Sequence, residues 1–149
     1  MRLLLLTLSV VLFIAACKDS GQASATEGAP TKSADEAEVA IPEISVEDAA
    51  KALEAGAVAV DANSESTREK NGTVPEAVIL TSSYKYDLAQ LPDDKSKDLI
   101  FYCSNTSCTA SDAAAERASA NGYQNVHIMR EGIKGWKAAG KPTAPYPQS

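Results

Sequence analysis

Cys103 stands directly after the apolar run Leu99-Ile100-Phe101-Tyr102 and six residues before Thr109, where an alanine-rich stretch begins. Strand, short polar loop and helix in that order turn successive backbone N–H groups inward and set a helix N-terminus behind them. Such a site favours anions and the thiolate form of a cysteine. Cys103 is therefore placed as a nucleophile, with Ser104-Asn105-Thr106-Ser107 around it and a second cysteine, Cys108, at the far end of the loop. A strand-end cysteine that only packs is the ordinary alternative. Partners for acid-base work are sparse. His127, the only histidine, alternates with Val126 and Ile128 as in a strand, which reads as a structural or surface side chain in preference to a general base. Asp61 ends another apolar run on the side where open parallel sheets place their sites, and is read first as an acceptor for loop backbone. Arg68 and Lys70 follow in a connecting segment from which either can approach the Cys103 loop.

The elements that must position these residues follow from the pattern of apolar runs. Ser45-Val46-Glu47-Asp48 opens an amphipathic stretch closed by Gly56, which predicts a capped helix near residues 46–55. The runs 57–61, 77–80, 99–102 and 126–129 predict four buried strands, and the long segments between them predict parallel pairing. Thr109 to Asn121 predicts the clearest helix, stopped at Gly122, and a last helix is expected over Ile133 to Ala139. Trp136 and Ile133 share one face of it and are assigned to the core. Tyr84 and Tyr86 lie in a connection, where solvent-edge packing is the expectation and a place at a pocket mouth the alternative. Residues 41–149 are enough for one domain.

Composition narrows the function. The chain has 149 residues, a formal net charge of -6 and no Lys/Arg cluster, which makes nucleic acid an unfavourable partner. Three cysteines are too few for a disulfide scaffold, and no Cys/His spacing fits structural zinc.

The N-terminus speaks to location. Arg2 precedes an apolar run from Leu3 to Ile14 that is short for a mature membrane span and reads as the core of a signal peptide. It ends in Ile14-Ala15-Ala16-Cys17, which resembles the lipobox of bacterial lipoproteins. That resemblance implies a signal peptide over residues 1–16, lipidation of Cys17 and a start of the mature chain there; a plain secretory leader or an uncleaved anchor is the alternative. Residues 17–40 then form the lipidated cysteine and a tether poor in apolar side chains, whose root-mean-square reach is about 25 Å. The expected location is the bacterial cell envelope on the periplasmic side. Lys18 after the cysteine, by similarity to enterobacterial sorting signals, favours the outer membrane where the cell has one.

From about Ile44 to Pro142 the sequence resembles a rhodanese-like domain. Val60-Asp61-Ala62-Asn63 occupies the place of the family's Asp-Val-Arg strand end, and Gly72-Thr73-Val74-Pro75-Glu76-Ala77 that of its Gly-His-Ile-Pro-Gly-Ala segment. Phe101-Tyr102-Cys103 leads into the active-site loop. Glu131-Gly132-Ile133-Lys134-Gly135-Trp136-Lys137-Ala138-Ala139-Gly140-Lys141-Pro142 is similar to the family's Gly-Gly-x-x-x-Trp-x-x-Ala-Gly-x-Pro ending and is the most specific match.

The resemblance implies an α/β fold with a mainly parallel sheet of about five strands and helices on both faces. It also implies a sulfurtransferase in which Cys103 accepts a sulfane sulfur as a persulfide and passes it to a thiol or to cyanide. Loop amides over Ser104, Asn105, Thr106, Ser107, Cys108 and Thr109 would stabilise the anion, with Asp61 and Arg68 as supporting residues and neither metal nor organic cofactor required. The departures matter as well. The loop carries no Arg or Lys, so a dianionic donor such as thiosulfate is expected to bind poorly, and Thr109 stands where Cys-x5-Arg phosphatase chemistry needs its arginine. Cys108 keeps three readings: a thiol that resolves a Cys103 persulfide or sulfenate into a disulfide, a structural thiol under the helix start, or half of a soft-metal site. The first belongs to a competing function, a non-catalytic or redox-sensing module built on a Cys103/Cys108 thiol-disulfide switch. A protein partner is not specified by any of these features.

Overall fold

Each of the four apolar runs is too short for a stable helix and pairs its backbone with a neighbouring strand; three are largely buried as expected, whereas Val78 and Ile79, at the sheet edge, are only half-buried. The computed structural model describes residues 40–147; the expected signal peptide, Cys17 and the expected tether as far as Val39 lie outside the described residues. The strands are β1 (Val58–Asp61), β2 (Val78–Ile79), β3 (Asp98–Tyr102) and β4 (Asn125–Met129). All pair in parallel in the order β2-β1-β3-β4. The fifth strand implied by the family resemblance is reduced to one parallel bridge between Glu43 and Ile128. Pro42 accepts there from Ile128 but has no N–H to extend the ladder. The sheet among the described residues therefore has four strands where about five were expected.

Side chains alternate across the sheet into two layers. Val60, Leu99, Phe101, Val126 and Ile128 face α3 (Ala110–Ala120), whose Ala114, Ala115 and Ala118 let it lie close, together with Tyr86 and Tyr123. Ala59, Ile100, Tyr102 and Met129 face α1 (Val46–Glu54) and α4 (Gly132–Ala138), which contribute Ala49, Ile133 and Trp136. Helices thus cover both faces, and α1 is capped as its sequence predicts, Asp48 N donating to Ser45 Oγ at 3.2 Å. Trp136 is core, its Nε1 donating to Pro142 O at 2.7 Å.

Two differences from the sequence reading bear on the site. Residues 65–71, read as a connecting segment, form α2 (Glu65–Asn71), which turns Arg68 inward until it is buried. Tyr86, expected at the solvent edge, is fully buried, and its hydroxyl donates to Ala114 O at 2.8 Å; only Tyr84 is exposed.

Buried tyrosines give the fold an alkaline limit. Burial, reinforced by the adjacent Asp61 carboxylate, holds the Tyr102 hydroxyl well above the usual phenol range, and burial pushes Tyr86 up to about 12 against a partial offset from Arg117. A proton held more tightly in the folded state gives stability that is complete below the unfolded pKa of about 10. That stability is lost as pH rises towards the folded value. Urea unfolding followed upward from about pH 9 should therefore show stability falling above about pH 10, each of these tyrosines adding up to about 1.4 kcal/mol per pH unit. Tyr86→Phe is expected to flatten its share of the slope, and an unchanged slope would contradict the assignment.

Candidate active site

The register aligns the carboxyl ends of three strands, Asp61 opposite Tyr102 and Tyr102 opposite Met129. The next residues, Ala62, Cys103 and Arg130, open the crevice where parallel sheets hold their ligands. Cys103 leaves β3 fully buried, and its loop is seated on α4. Ile133 N donates to Cys103 O at 2.8 Å and Lys134 N to Ser104 O at 3.1 Å. Gly132, at φ +63°, makes this seat possible. A Cβ there would overlap Cys103 O and lie 2.7 Å from Ser104 C and 2.8 Å from Asn105 N. Gly132→Ala is expected to cost at least about 1–2 kcal/mol for its left-handed backbone alone. It should also displace the loop, read as slower alkylation or sulfur loading of Cys103; a variant with native rates would contradict the packing.

Around the sulfur, Cys103 Sγ lies 3.3 Å from Ser111 Oγ and 3.2 Å from Cys108 O. Ser111 is buried in the first turn of α3, so the sulfur rests against the positive end of that helix. Ser111 was not singled out in the sequence; its only signal there is its place in the first turn of the helix that follows the loop. The loop amides divide into two groups. Ser107 N donates to Asn105 Oδ1 at 3.1 Å and Cys108 N to Asn105 O at 3.0 Å, closing a turn. The N–H groups of Ser104, Asn105, Thr106 and Thr109 have no acceptor among the described residues. Those four, not the whole loop, are the amides open to an anion. Asn63 adds a buried Nδ2 without a partner at the end of β1, beside the strand that carries Cys103.

Cys108 comes to its neighbour. The Cys103 and Cys108 sulfurs are paired, with Cα atoms 6.3 Å apart, inside the span a disulfide requires. Cys103 is 1% exposed, whereas Cys108 is half-buried. Among the described residues no three His, Cys, Asp or Glu side chains cluster as a metal site would need.

The charged residues sort by distance from the loop. Asp61, fully buried, accepts from Asn63 N at 2.7 Å, as its sequence position suggested. It also accepts from Arg68 Nε at 3.1 Å and the Tyr102 hydroxyl at 2.7 Å. Tyr102 in turn accepts from Val74 N at 3.0 Å. Arg68 donates further to Asp61 O and Leu80 O. The guanidinium is consumed at the ends of β1 and β2, so Arg68 is not brought to the loop as a binding cation; it holds Asp61, which in turn anchors Tyr102 on the strand that carries Cys103. Arg130, which the sequence reading passed over, follows β4 next to Cys103 and is held by Asp112 at 2.8 Å and Glu43 at 2.9 Å, hydrogen bonds that strengthen its hold on its proton. A cavity of about 310 Å³ lined by Ile44, Thr106, Arg130 and Glu131 adjoins the loop. Lys134 is exposed on α4. His127 pairs with Ile100 in mid-strand and lines a different cavity with Ser119 and Gln124, at the other end of the sheet.

The same fold occurs in known proteins. The family model for the rhodanese-like domain matches residues 45–139. Among solved structures, the rhodanese-like domain of an Anabaena protein is 24% identical over 70% of this chain and 79% of its own, with a TM-score of 0.57. A Rhodopseudomonas palustris protein described as of unknown function and a possible tyrosine phosphatase is 24% identical, covering 69% of this chain and 84% of its own, with a TM-score of 0.55. The thiosulfate sulfurtransferase of Pseudomonas aeruginosa is 21% identical over 72% of this chain and 21% of its own, with a TM-score of 0.57. Comparison with curated proteins gives no match. With a strand-end cysteine, an amide-lined loop seated on a glycine, and a family match over most of the described residues, the chain belongs to the rhodanese-like domain family.

Proposed function

We propose that this protein is a sulfurtransferase whose Cys103 thiolate attacks the outer sulfur of a sulfane donor, carries it as a persulfide and yields it to a thiol or to cyanide. The observation that carries this reading is the setting of Cys103 Sγ, against the first turn of α3 and Ser111 Oγ, with four loop amides free to receive an anionic sulfur. The likeness in fold to a thiosulfate sulfurtransferase supports the reaction class. Both buried or half-buried arginines of the region are ion-paired, Arg68 to Asp61 and Arg130 to Asp112 and Glu43. That favours weakly charged donors, such as organic persulfides or thiosulfonates, over the thiosulfate dianion. The test is thiocyanate formation from cyanide with each donor. More thiocyanate with a thiosulfonate than with thiosulfate is expected, most clearly in Cys108→Ser, and no thiocyanate from any donor with either the wild type or that variant would remove the reading. Phosphate-ester hydrolysis is not favoured, because Thr109 stands at the arginine position of a Cys-x5-Arg clamp.

The paired sulfurs favour a second reading, a redox-sensing module that toggles between thiols and disulfide without moving sulfur. Peroxide would then oxidise the pair while sulfane donors leave it unchanged.

For location, the Ala15-Ala16-Cys17 context supports a lipid-anchored envelope protein. Fatty-acid labelling in a bacterial host that is lost in Cys17→Ser is the expected result; equal labelling of both chains would contradict the anchor. Among the described residues no helix is long and apolar enough to cross a membrane.

A further inference from the structure

We propose that Cys108 resolves the Cys103 persulfide, expelling sulfide and closing a Cys103–Cys108 disulfide that an external dithiol reopens. This inference rests on the sulfur-accepting reading above and makes the protein a sulfide-releasing reductase of sulfane sulfur, not only a carrier.

The geometry argues from both ends of the loop. Cys103 is fixed by β3 and by Ile133 N on its carbonyl, while Cys108 is fixed by its turn to Asn105 O and by the start of α3. The approach of the two residues therefore does not depend on a bond between their sulfurs. In a persulfide the inner sulfur is Cys103 Sγ itself, the atom to which Cys108 Sγ is paired here. The structure holds the product arrangement of an attack by Cys108 on that inner sulfur. As a staple the pair would be redundant, since it spans five residues of a segment already seated on α4 and on α3. The exposures also differ in the sense that turnover needs. Cys103, the buried partner, is held against Ser111 Oγ, which can donate to a departing thiolate; Cys108 is the less buried residue of the pair, the side from which an incoming dithiol approaches the bond.

The steps balance. The Cys103 thiolate attacks the terminal sulfur of a thiosulfonate anion, forming the Cys103 persulfide anion and releasing a sulfinate. After that persulfide is protonated, the Cys108 thiolate attacks its inner sulfur, the S–S bond to the outer sulfur breaks, and hydrosulfide leaves with the electron pair. A dithiol then exchanges through Cys108, becoming a cyclic disulfide and returning both cysteines to thiols. The donor's sulfane sulfur has been reduced to sulfide and the dithiol oxidised.

The test uses the full chain in detergent, reduced and freed of reductant, then given benzenethiosulfonate. Sulfide is measured directly, and the tryptic peptide spanning residues 98–117, which contains both cysteines, is weighed. The wild type should release one sulfide per chain, leave that peptide lighter by two hydrogens, and release more only when dithiothreitol is added. Cys108→Ser should keep one extra sulfur on Cys103 and release no sulfide. A wild type that retains the sulfur and releases none overturns the resolving role of Cys108 while leaving Cys103 as acceptor. A Cys108→Ser chain that gains no sulfur removes the acceptor reading and this inference with it. The wild-type stoichiometry needs no substitution, so a variant that fails to fold does not spare the proposal.

Discussion

Replacing Cys103 with serine is expected to reduce sulfur transfer to the uncatalysed level with every donor, while stability of the reduced protein changes by no more than about 1 kcal/mol. A thiolate can attack and hold a sulfane sulfur; a serine hydroxyl does not ionise in the working pH range, and its oxygen cannot hold a sulfane sulfur. The serine hydroxyl would find the same neighbours as the sulfur, Ser111 Oγ and Cys108 O, so the burial of a new polar atom is compensated. Activity and stability are thereby separated. Thiocyanate formation and urea unfolding on the same preparation check the expectation, and residual turnover above a tenth of wild type would move the nucleophile elsewhere.

Arg68→Met is expected to have the largest effect on stability, a loss of about 3–5 kcal/mol. The ion pair with Asp61 is almost wholly buried, the two side chains being 6% and 0% exposed. Removing the cation leaves the carboxylate with only Asn63 N and the Tyr102 hydroxyl, and takes the donors from Asp61 O and Leu80 O. An uncompensated buried charge is what makes such losses large. Asp61→Asn combined with Arg68→Met should recover part of the loss, because the charge that needed the guanidinium is gone. Urea unfolding of the two single variants and the double supplies the cycle. A loss below about 1 kcal/mol for Arg68→Met would contradict the anchoring role of the pair. The consequence reaches the chemistry, since Asp61 and Arg68 fix Tyr102, the residue immediately before Cys103.

The parts of the fold legible in the sequence are those whose side chains repeat with a period. The four runs read as strands match β1 to β4 to within about two residues at either end, and the three helices that were read match α1, α3 and α4. What escaped has no such period. α2 is Glu-Ser-Thr-Arg-Glu-Lys-Asn, without an apolar face, and what it buries is an arginine. Its role exists only because Asp61 waits on a strand brought beside it by the sheet. Tyr86 was misread because a connection gives no sign of the α3 carbonyl its hydroxyl will reach. The family resemblance overstated the strand count, since Glu43 forms a single bridge where a strand was implied.

The site divides in the same way. Cys103 and its loop are legible because strand, polar loop and helix follow one another directly. Ser111, the unpartnered amide of Asn63 and the ion-paired state of Arg130 depend on residues distant in sequence, so they emerge only when the strand ends are aligned. Cys108 has three readings in the sequence, none of which fixes where its side chain goes; the turn of Cys108 N onto Asn105 O brings its sulfur to that of Cys103.

Whether Cys103 is the acceptor of sulfane sulfur is decided by where that sulfur first lands. The reduced full chain, mixed briefly with benzenethiosulfonate and quenched with a thiol-alkylating reagent within the first turnover, yields the peptide of residues 98–117 for fragmentation. One added sulfur is expected on Cys103 at the earliest times. An added sulfur first seen on Cys108, or none on either cysteine while both remain alkylatable thiols, would contradict it.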